Sequence, residues 1–103
     1  MSESNSVLTI EDFKNWKSQN MTVHFTEEHK EIVRILDVEA CGEKKNKSRI
    51  PFSLILLTEM KDQYYTQGSF IVVLPDGQEE PMFMVPIGVD MESGGMKYEV
   101  IYN

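Results

Sequence analysis

Residues 69–87 read SFIVVLPDGQEEPMFMVPI, and this segment gives the strongest indication of the fold class. Two apolar runs, residues 69–74 and 81–87, flank the tetrapeptide Pro75-Asp-Gly-Gln78. Proline presets φ at the first turn position and glycine accepts a positive φ, so the tetrapeptide predicts a tight turn. Two β-prone runs joined by such a turn indicate an antiparallel hairpin.

Four further segments have the composition of strands. Their apolar residues recur at every second position or form short runs rich in β-branched residues, as in half-buried or central strands. In the second segment the apolar residues fit neither a strand nor a helix period, and a bulge near Ile35-Leu36 would reconcile them. The segments are residues 21–25, 31–39, 51–59 and 97–103.

A short helix precedes the strands. Thr9 and Asp12 have the spacing of a capping box, so the helix begins after Thr9. We expect two to three turns that end near Asn20 in a left-handed conformation. The helix is too short to stand alone, and the second apolar face of residues 51–59 is the surface it would cover. Its apolar face consists of Ile10, Phe13 and Trp16.

Together these segments predict a mainly β fold. One short N-terminal helix and about six strands at intervals of roughly 8 to 15 residues are typical of an antiparallel barrel or sandwich. A length of 103 residues leaves room for one core. We assign residues 9–103 to a single domain and residues 1–8 to a disordered tail.

The composition excludes several classes of partner. Seventeen Asp and Glu against ten Lys and Arg give a formal net charge of −7, whereas nucleic acids and anionic membranes require a basic face. The chain has no apolar run of the roughly 18 residues that span a membrane and no signal-peptide pattern at its start. With Cys41 as the single cysteine, we expect a cytoplasmic protein that binds neither nucleic acid nor membrane.

The chemically versatile residues form no known catalytic or metal motif. His24 and His29 are separated by four residues and run from a strand into a turn, whereas zinc motifs place two histidines one turn apart on a helix. Cys41 lies between Glu39 and Glu43, whose charges disfavour a reactive thiolate. We therefore predict no catalytic residue, no metal and no cofactor, and an enzyme would need both histidines in one pocket.

The strand at residues 81–87 offers a candidate interface. If Phe83, Val85 and Ile87 fill the core, then Met82 and Met84 face outward and form an adaptable apolar stripe for a partner or a second subunit. The opposite alternation would place both methionines in the core. The hairpin could also offer an edge for strand addition.

Two further sets of residues are candidate sites. A basic loop predicts either a contact with an anion or an acidic partner, or a solvated loop; its cations are Lys44, Lys45, Lys47 and Arg49. If the barrel encloses a cavity, aromatic side chains would line a small-ligand pocket; these are Phe52, Phe70, Tyr98 and Tyr102.

Six short segments, in their order along the chain, also support a resemblance to a known family. They are LTIEDF at residues 8–13, TVHF at 22–25, PFSLI at 51–55, QGSF at 67–70, MFMVPIG at 82–88 and YEVIYN at 98–103. In these the chain resembles a domain-of-unknown-function family of small bacterial proteins, which usually has a glycine near Asn20. The resemblance implies stand-alone proteins, some of them encoded near phage-tail-like genes, and it implies no catalytic or binding residues.

We therefore expect a non-enzymatic interaction or assembly module that binds a protein partner or a second copy of itself. An accessory role in a phage-tail-like system is the setting that the resemblance implies. The alternative is a small-ligand-binding β-barrel. An apolar cavity above roughly 300 Å³ would favour the alternative, whereas a filled core with an exposed apolar strip would favour interaction.

Overall fold

The structure, a computed structural model, describes residues 8–41 and 51–102. The predicted mainly β fold is confirmed, and of the two architectures left open it is the barrel that forms. Within these two ranges, none of the helical residues form a segment that could span a bilayer. The elements are α1 (Ile10–Asn15), β1 (Asn20–His24), β2 (Lys30–Ala40), β3 (Phe52–Leu57), β4 (Gly68–Val73), β5 (Glu79–Val89) and β6 (Met96–Tyr102).

Six antiparallel strands close into a barrel in the order β1-β2-β3-β6-β5-β4, with β4 returning to β1. The two longest strands, β2 and β5, each contain an irregularity in register. The first lies between Ile35 and Asp37, where the sequence predicted a bulge, and the second between Pro86 and Gly88. Because β5 pairs with β4 on one side and β6 on the other, this strand of the hairpin offers no edge for strand addition, whereas residues 68–70 of β4 do not pair with β1.

The β4–β5 hairpin turns as the sequence predicts. Gly77 has a φ of +94°, and its N–H donates to the carbonyl of Leu74 at 2.8 Å. The Leu74 N–H donates to the carbonyl of Gln78 at 2.7 Å, which begins the β5 side of the hairpin. The backbone N–H of Gln78 also donates to the Asp76 carboxylate at 3.0 Å. Local turn chemistry thus fixes this connection.

Side chains from all six strands fill the barrel interior. Met82 and Met84 belong to this core, with exposed fractions of 2 % and 0 %, so their predicted outward orientation is wrong. Residues directly opposite in a ladder point to the same face, and Met84 pairs with the buried Val100. The alternation along β5 therefore has the opposite phase, and Phe83 faces outward instead.

The helix α1 closes one end of the barrel. Its predicted capping box forms: the Asp12 N–H donates to Thr9 Oγ1 at 3.4 Å, and the Thr9 N–H donates to Asp12 Oδ2 at 2.9 Å. The ring of Phe13 packs 5.7 Å from those of Phe52 and Tyr102, the first residue of β3 and the last of β6. The helix therefore contacts the inward face of β3 at its start, and not the outward face that we predicted.

Three predicted boundaries near α1 need correction. The α-helix ends at Asn15, earlier than expected. The left-handed conformation predicted for Asn20 is adopted by Ser18, with a φ of +72°, and Asn20 begins β1. Leu8, which we assigned to the tail, is buried in the core, so the ordered domain extends at least to this residue.

Candidate functional site

The irregular segment at residues 58–67 closes the other end of the barrel. Thr58 and Met60 continue the pairing with β6: the Thr58 N–H donates to the carbonyl of Met96 at 3.0 Å, and the Met96 N–H donates to the carbonyl of Met60 at 2.9 Å. The hydroxyl of Tyr98 donates to the carbonyl of Tyr65 at 2.6 Å and accepts from its N–H at 2.9 Å. Burial raises the pKa of Tyr98, against the opposing effect of its hydrogen bond to the Tyr65 backbone.

A hydrogen-bonded chain of three side chains, here called the His29 cluster, ties this segment to β2. It consists of Glu31, His29 and Tyr65. His29 Nε2 lies 2.5 Å from Glu31 Oε2, and His29 Nδ1 lies 2.5 Å from the Tyr65 hydroxyl. A carboxylate only accepts, so Nε2 carries a proton and a neutral imidazole accepts at Nδ1 from the Tyr65 hydroxyl. Tyr65 also stacks on Phe25, with centroids 4.6 Å apart.

The first of two clefts opens where β1 and β4 part. Their ladder has three pairs, ending at His24 and Ile71, after which the N–H groups of Phe25 and Thr26 both turn to the carbonyl of His29. This β1–β4 cleft has a volume of about 450 Å³. Its lining residues are His24, Phe25, Thr26, Glu27, Ser69, Phe70, Ile71 and Glu79.

The two histidines lie in different parts of the structure. His24 lines the β1–β4 cleft, while His29 lines neither described cleft. The arrangement that an enzyme would need, both histidines in one pocket, is therefore not present in the clefts. Within residues 8–41 and 51–102, no group of three or more His, Cys, Asp or Glu residues is placed to hold a metal ion.

The second cleft opens where β3 ends. Residues 30–33 of β2 pair with β1, whereas the ladder between β2 and β3 starts at Arg34 and Leu57. This β2–β3 cleft has a volume of about 530 Å³. Its lining residues are Asn20, Ile32, Val33, Arg34, Leu57, Thr58, Glu59, Lys61 and Ser93.

The structure does not bring the four rings of the predicted aromatic pocket together. Phe52 and Tyr102 stack on each other at 5.0 Å beside α1, whereas Phe70 and Tyr98 lie 4.9 Å and 5.7 Å from Phe25 near the opposite end. The four rings therefore divide between two clusters, in which Phe52 and Tyr98 are buried and Phe70 and Tyr102 are partly buried. Only Phe70 lines a described cleft.

Two other predicted features can be placed only in part. The basic residues Lys44, Lys45, Lys47 and Arg49 lie outside the described residues. Cys41 is exposed, and its Sγ lies 4.0 Å from the carbonyl oxygen of Glu39.

The outer face of β5 is apolar from Pro81 to Ile87, and sequence reasoning missed it. This row, here called the β5 stripe, consists of Pro81, Phe83, Val85 and Ile87. Phe83 and Ile87 have exposed fractions of 54 % and 44 %. Two exposed isoleucines from neighbouring strands widen it, Ile71 opposite Pro81 and Ile101 of β6.

The border of the β5 stripe is mainly acidic. Glu79 begins β5, Glu99 pairs with Val85, and Asp90 follows Val89. The N–H of Ser93 donates to Asp90 at 2.9 Å, and this hydrogen bond lowers the pKa of the carboxyl. Lys97, which pairs with Gly88, is the cation beside the stripe on β6.

Comparison with known proteins gives one match. The chain matches a protein family over residues 8–102, and the description of that family is "Domain of unknown function (DUF6916)". No curated protein and no solved structure matches the chain.

Proposed function

The chain belongs to this family of unknown function, and we propose that it is a non-catalytic module that binds a partner protein through the β5 stripe. The observation that carries the proposal is a continuous apolar row on the outside of an otherwise filled barrel. More than half of each side chain is exposed at Phe83 in the row and at Ile101 of the neighbouring β6.

The dimensions of the β5 stripe suit a protein surface. Six residue steps separate Pro81 from Ile87, which at about 3.3 Å each give a row of about 20 Å. Soluble proteins rarely expose large contiguous apolar patches, and those bordered by polar residues commonly mark interaction sites. Ile71 and Ile101 on the flanking strands make the surface wider than one strand.

The charge around the β5 stripe selects the kind of partner. Glu79, Glu99 and Asp90 border the row, with Lys97 as the opposing cation. A second copy would bring a second set of these carboxylates to the same interface, on a chain whose formal net charge is already −7. Like charges across an interface are unfavourable, whereas opposite charges accelerate association. The partner is therefore a protein with an apolar ridge bordered by Lys and Arg.

The filled interior argues against a ligand inside the barrel as the main function. Side chains from every strand occupy it, including Met82 and Met84. Bacterial origin and the phage-tail-like setting implied by the resemblance remain predictions about the biological context of this module.

Photo-crosslinking in the native cells tests the proposal. A photoreactive phenylalanine analogue at position 83 should form adducts with a partner protein, and neutralising Glu79 and Glu99 to glutamine should reduce their yield. Tyr64 provides a matched control position, because its exposed fraction of 54 % equals that of Phe83. The analogue at position 64 should not form the same adducts.

Binding of the purified partner completes the test. Its affinity should fall with increasing salt, because screening weakens the charged border, and should be lost with Phe83→Ser. Tyr64→Ser should bind normally, and circular dichroism should show both variants folded. Identical adducts at both positions, no adduct at position 83, or an adduct with the mass of two copies of the chain would contradict the proposal.

A further inference from the structure

The β2–β3 cleft brings charged, polar and apolar groups together on a part of the barrel wall that the proposed interaction does not use. Its volume of about 530 Å³ lies within the range of about 300–1,000 Å³ that is typical of small-molecule sites. Ile32, 55 % exposed, and Leu57 supply apolar surface. Asn20 and Ser93 add groups that donate and accept hydrogen bonds.

Two cations line this cleft although the chain as a whole is acidic. Arg34 and Lys61 are two of only ten Lys and Arg residues. Across residues 8–41 and 51–102, neither side chain forms an ion pair or hydrogen bond, whereas Lys17 approaches Asp37 at 3.8 Å. Arginine matches a carboxylate with two parallel N–H groups, and lysine adds a flexible point charge.

One carboxylate limits the charge of the occupant. Glu59 lines the same cleft and leaves the three ionisable side chains with a net charge of about +1. A monoanion balances this charge, whereas a dianionic phosphate would meet repulsion from Glu59. The apolar surface of Ile32 and Leu57 favours a ligand with a hydrocarbon body over a bare inorganic ion.

We propose that the β2–β3 cleft binds a small organic monocarboxylate. Arg34 and Lys61 hold its carboxylate, and its apolar body lies against Ile32 and Leu57. The cleft is lined by residues of β1, β2 and β3, by residues after β3 and by Ser93, none of which belongs to the β5 stripe. Ligand binding here and partner binding at the stripe can therefore fail independently.

Benzoate and hexanoate are suitable probes, with amide shifts recorded by two-dimensional NMR. Titration should give saturable shifts centred on Asn20, Ile32, Arg34 and Ser93. Benzamide, which has the same shape without the charge, should bind at least about tenfold more weakly, as should inorganic phosphate. This factor is expected when a hydrogen bond to a charged group is lost.

Variants separate a specific contact from a general effect of net charge. Arg34→Gln and Lys61→Gln should each weaken benzoate binding about tenfold. Lys30→Gln removes the same charge from β2 at a residue that does not line the cleft, so it should bind as wild type does. Arg34→Lys should retain part of the affinity. Since both cleft residues are exposed, thermal unfolding should show that all variants fold.

Several results would overturn the proposal. Shifts that scatter over the surface without saturation would show non-specific binding. Equal binding of benzamide would show that the cations play no part, and tighter binding of phosphate would contradict the monocarboxylate class. Equal effects of Arg34→Gln and Lys30→Gln would mean that net charge alone is responsible.

Discussion

The two ends of the barrel are closed by different means. At the helix end, Phe13 packs on Phe52 and Tyr102 through ring contacts of 5.7 Å. At the opposite end, residues 58–67 are held by hydrogen bonds, among them those between Tyr98 and both backbone groups of Tyr65. Ring packing therefore closes the first end, whereas at the second, here called the polar end, directional hydrogen bonds act beside the stacking of Tyr65 on Phe25.

This difference explains where the clefts occur. Both described clefts lie near the polar end, where β1 separates from β4 and where β2 extends beyond β3. Hydrogen bonds satisfy the backbone of an irregular segment without requiring that it fill space, so gaps can remain beside it. An apolar closure is stable only when it is well packed, and neither described cleft lies beside α1.

The largest effect is expected at the helix end. Phe13 is fully buried, and Phe13→Ala should lower the free energy of unfolding by about 3–5 kcal/mol, because it removes the contacts of the ring and leaves a cavity. Urea denaturation followed by circular dichroism measures this change. Phe83→Ala, which removes a half-exposed ring, should cost much less. Equal costs for the two substitutions would contradict the assigned orientations.

At the polar end, a single added methyl group should disturb the closure. A Cβ on Gly95 would lie 2.0 Å from the carbonyl oxygen of Thr58, so Gly95→Ala must separate residues 58–60 from β6. We expect a loss of about 1–3 kcal/mol, measured by urea denaturation. Gly68→Ala is the control, since its Cβ would meet only the Phe70 ring at 3.4 Å and should cost less.

Removing the hydroxyl from each of two tyrosines on β6 compares the two ends of the barrel directly. Tyr98→Phe leaves the N–H and carbonyl of Tyr65 without their partner, at a cost of about 1–3 kcal/mol. Tyr102→Phe removes a hydrogen bond to Glu80 of 3.0 Å at a half-buried position, where water can replace the hydroxyl, so it should cost less. Thermal and urea unfolding of both variants measure the difference. A larger cost at Tyr102 would reverse the comparison.

Tyr98 should also make stability depend on alkaline pH. Because its pKa is raised in the folded state, its contribution is fully present below the ordinary tyrosine pKa of about 10 and is lost as the pH rises through the folded value. Urea unfolding between about pH 8 and 11 should therefore show a steeper loss for wild type than for Tyr98→Phe. Parallel curves would contradict the assignment.

The smallest effect is expected in the β5–β6 turn. The pKa of Asp90 is lowered by the hydrogen bond from Ser93, so its contribution is present above the ordinary Asp pKa of about 3.9 and is lost as the pH falls through the folded value. Asp90→Ala should be slightly less stable than wild type at neutral pH, and the two should converge in acid. A constant difference would show that charge is not responsible.

Local signals explain what the sequence predicted correctly. The Thr9–Asp12 capping box and the turn at Gly77 depend on residues close together in the chain, and both form as predicted. The prediction of which face of β5 is buried was wrong. Residues 81–87 are apolar on both faces, so alternation alone did not determine which face points into the core. Pairing with Val100 decides this, and such long-range register is not visible in one strand.

The clefts could not be predicted for a related reason. Each cleft exists because two neighbouring strands stop pairing before the ends of the strands are reached. In the β2–β3 cleft, the pairing of β2 with β3 begins only at Arg34 and Leu57. The number of residue pairs between two strands depends on how all six strands close into the barrel. Arg34 and Lys61 are 27 positions apart in the sequence, and no local pattern connects them.

The short ladder between β1 and β4 has a consequence for folding and aggregation. It holds three residue pairs and joins segments about fifty positions apart, as in Thr22 and Val73. Distant contacts with few hydrogen bonds form late and open at low cost, so the ring of strands should break here first. The opened molecule would be a curved sheet with two unpaired borders, which can exchange β1 between copies or template fibrils.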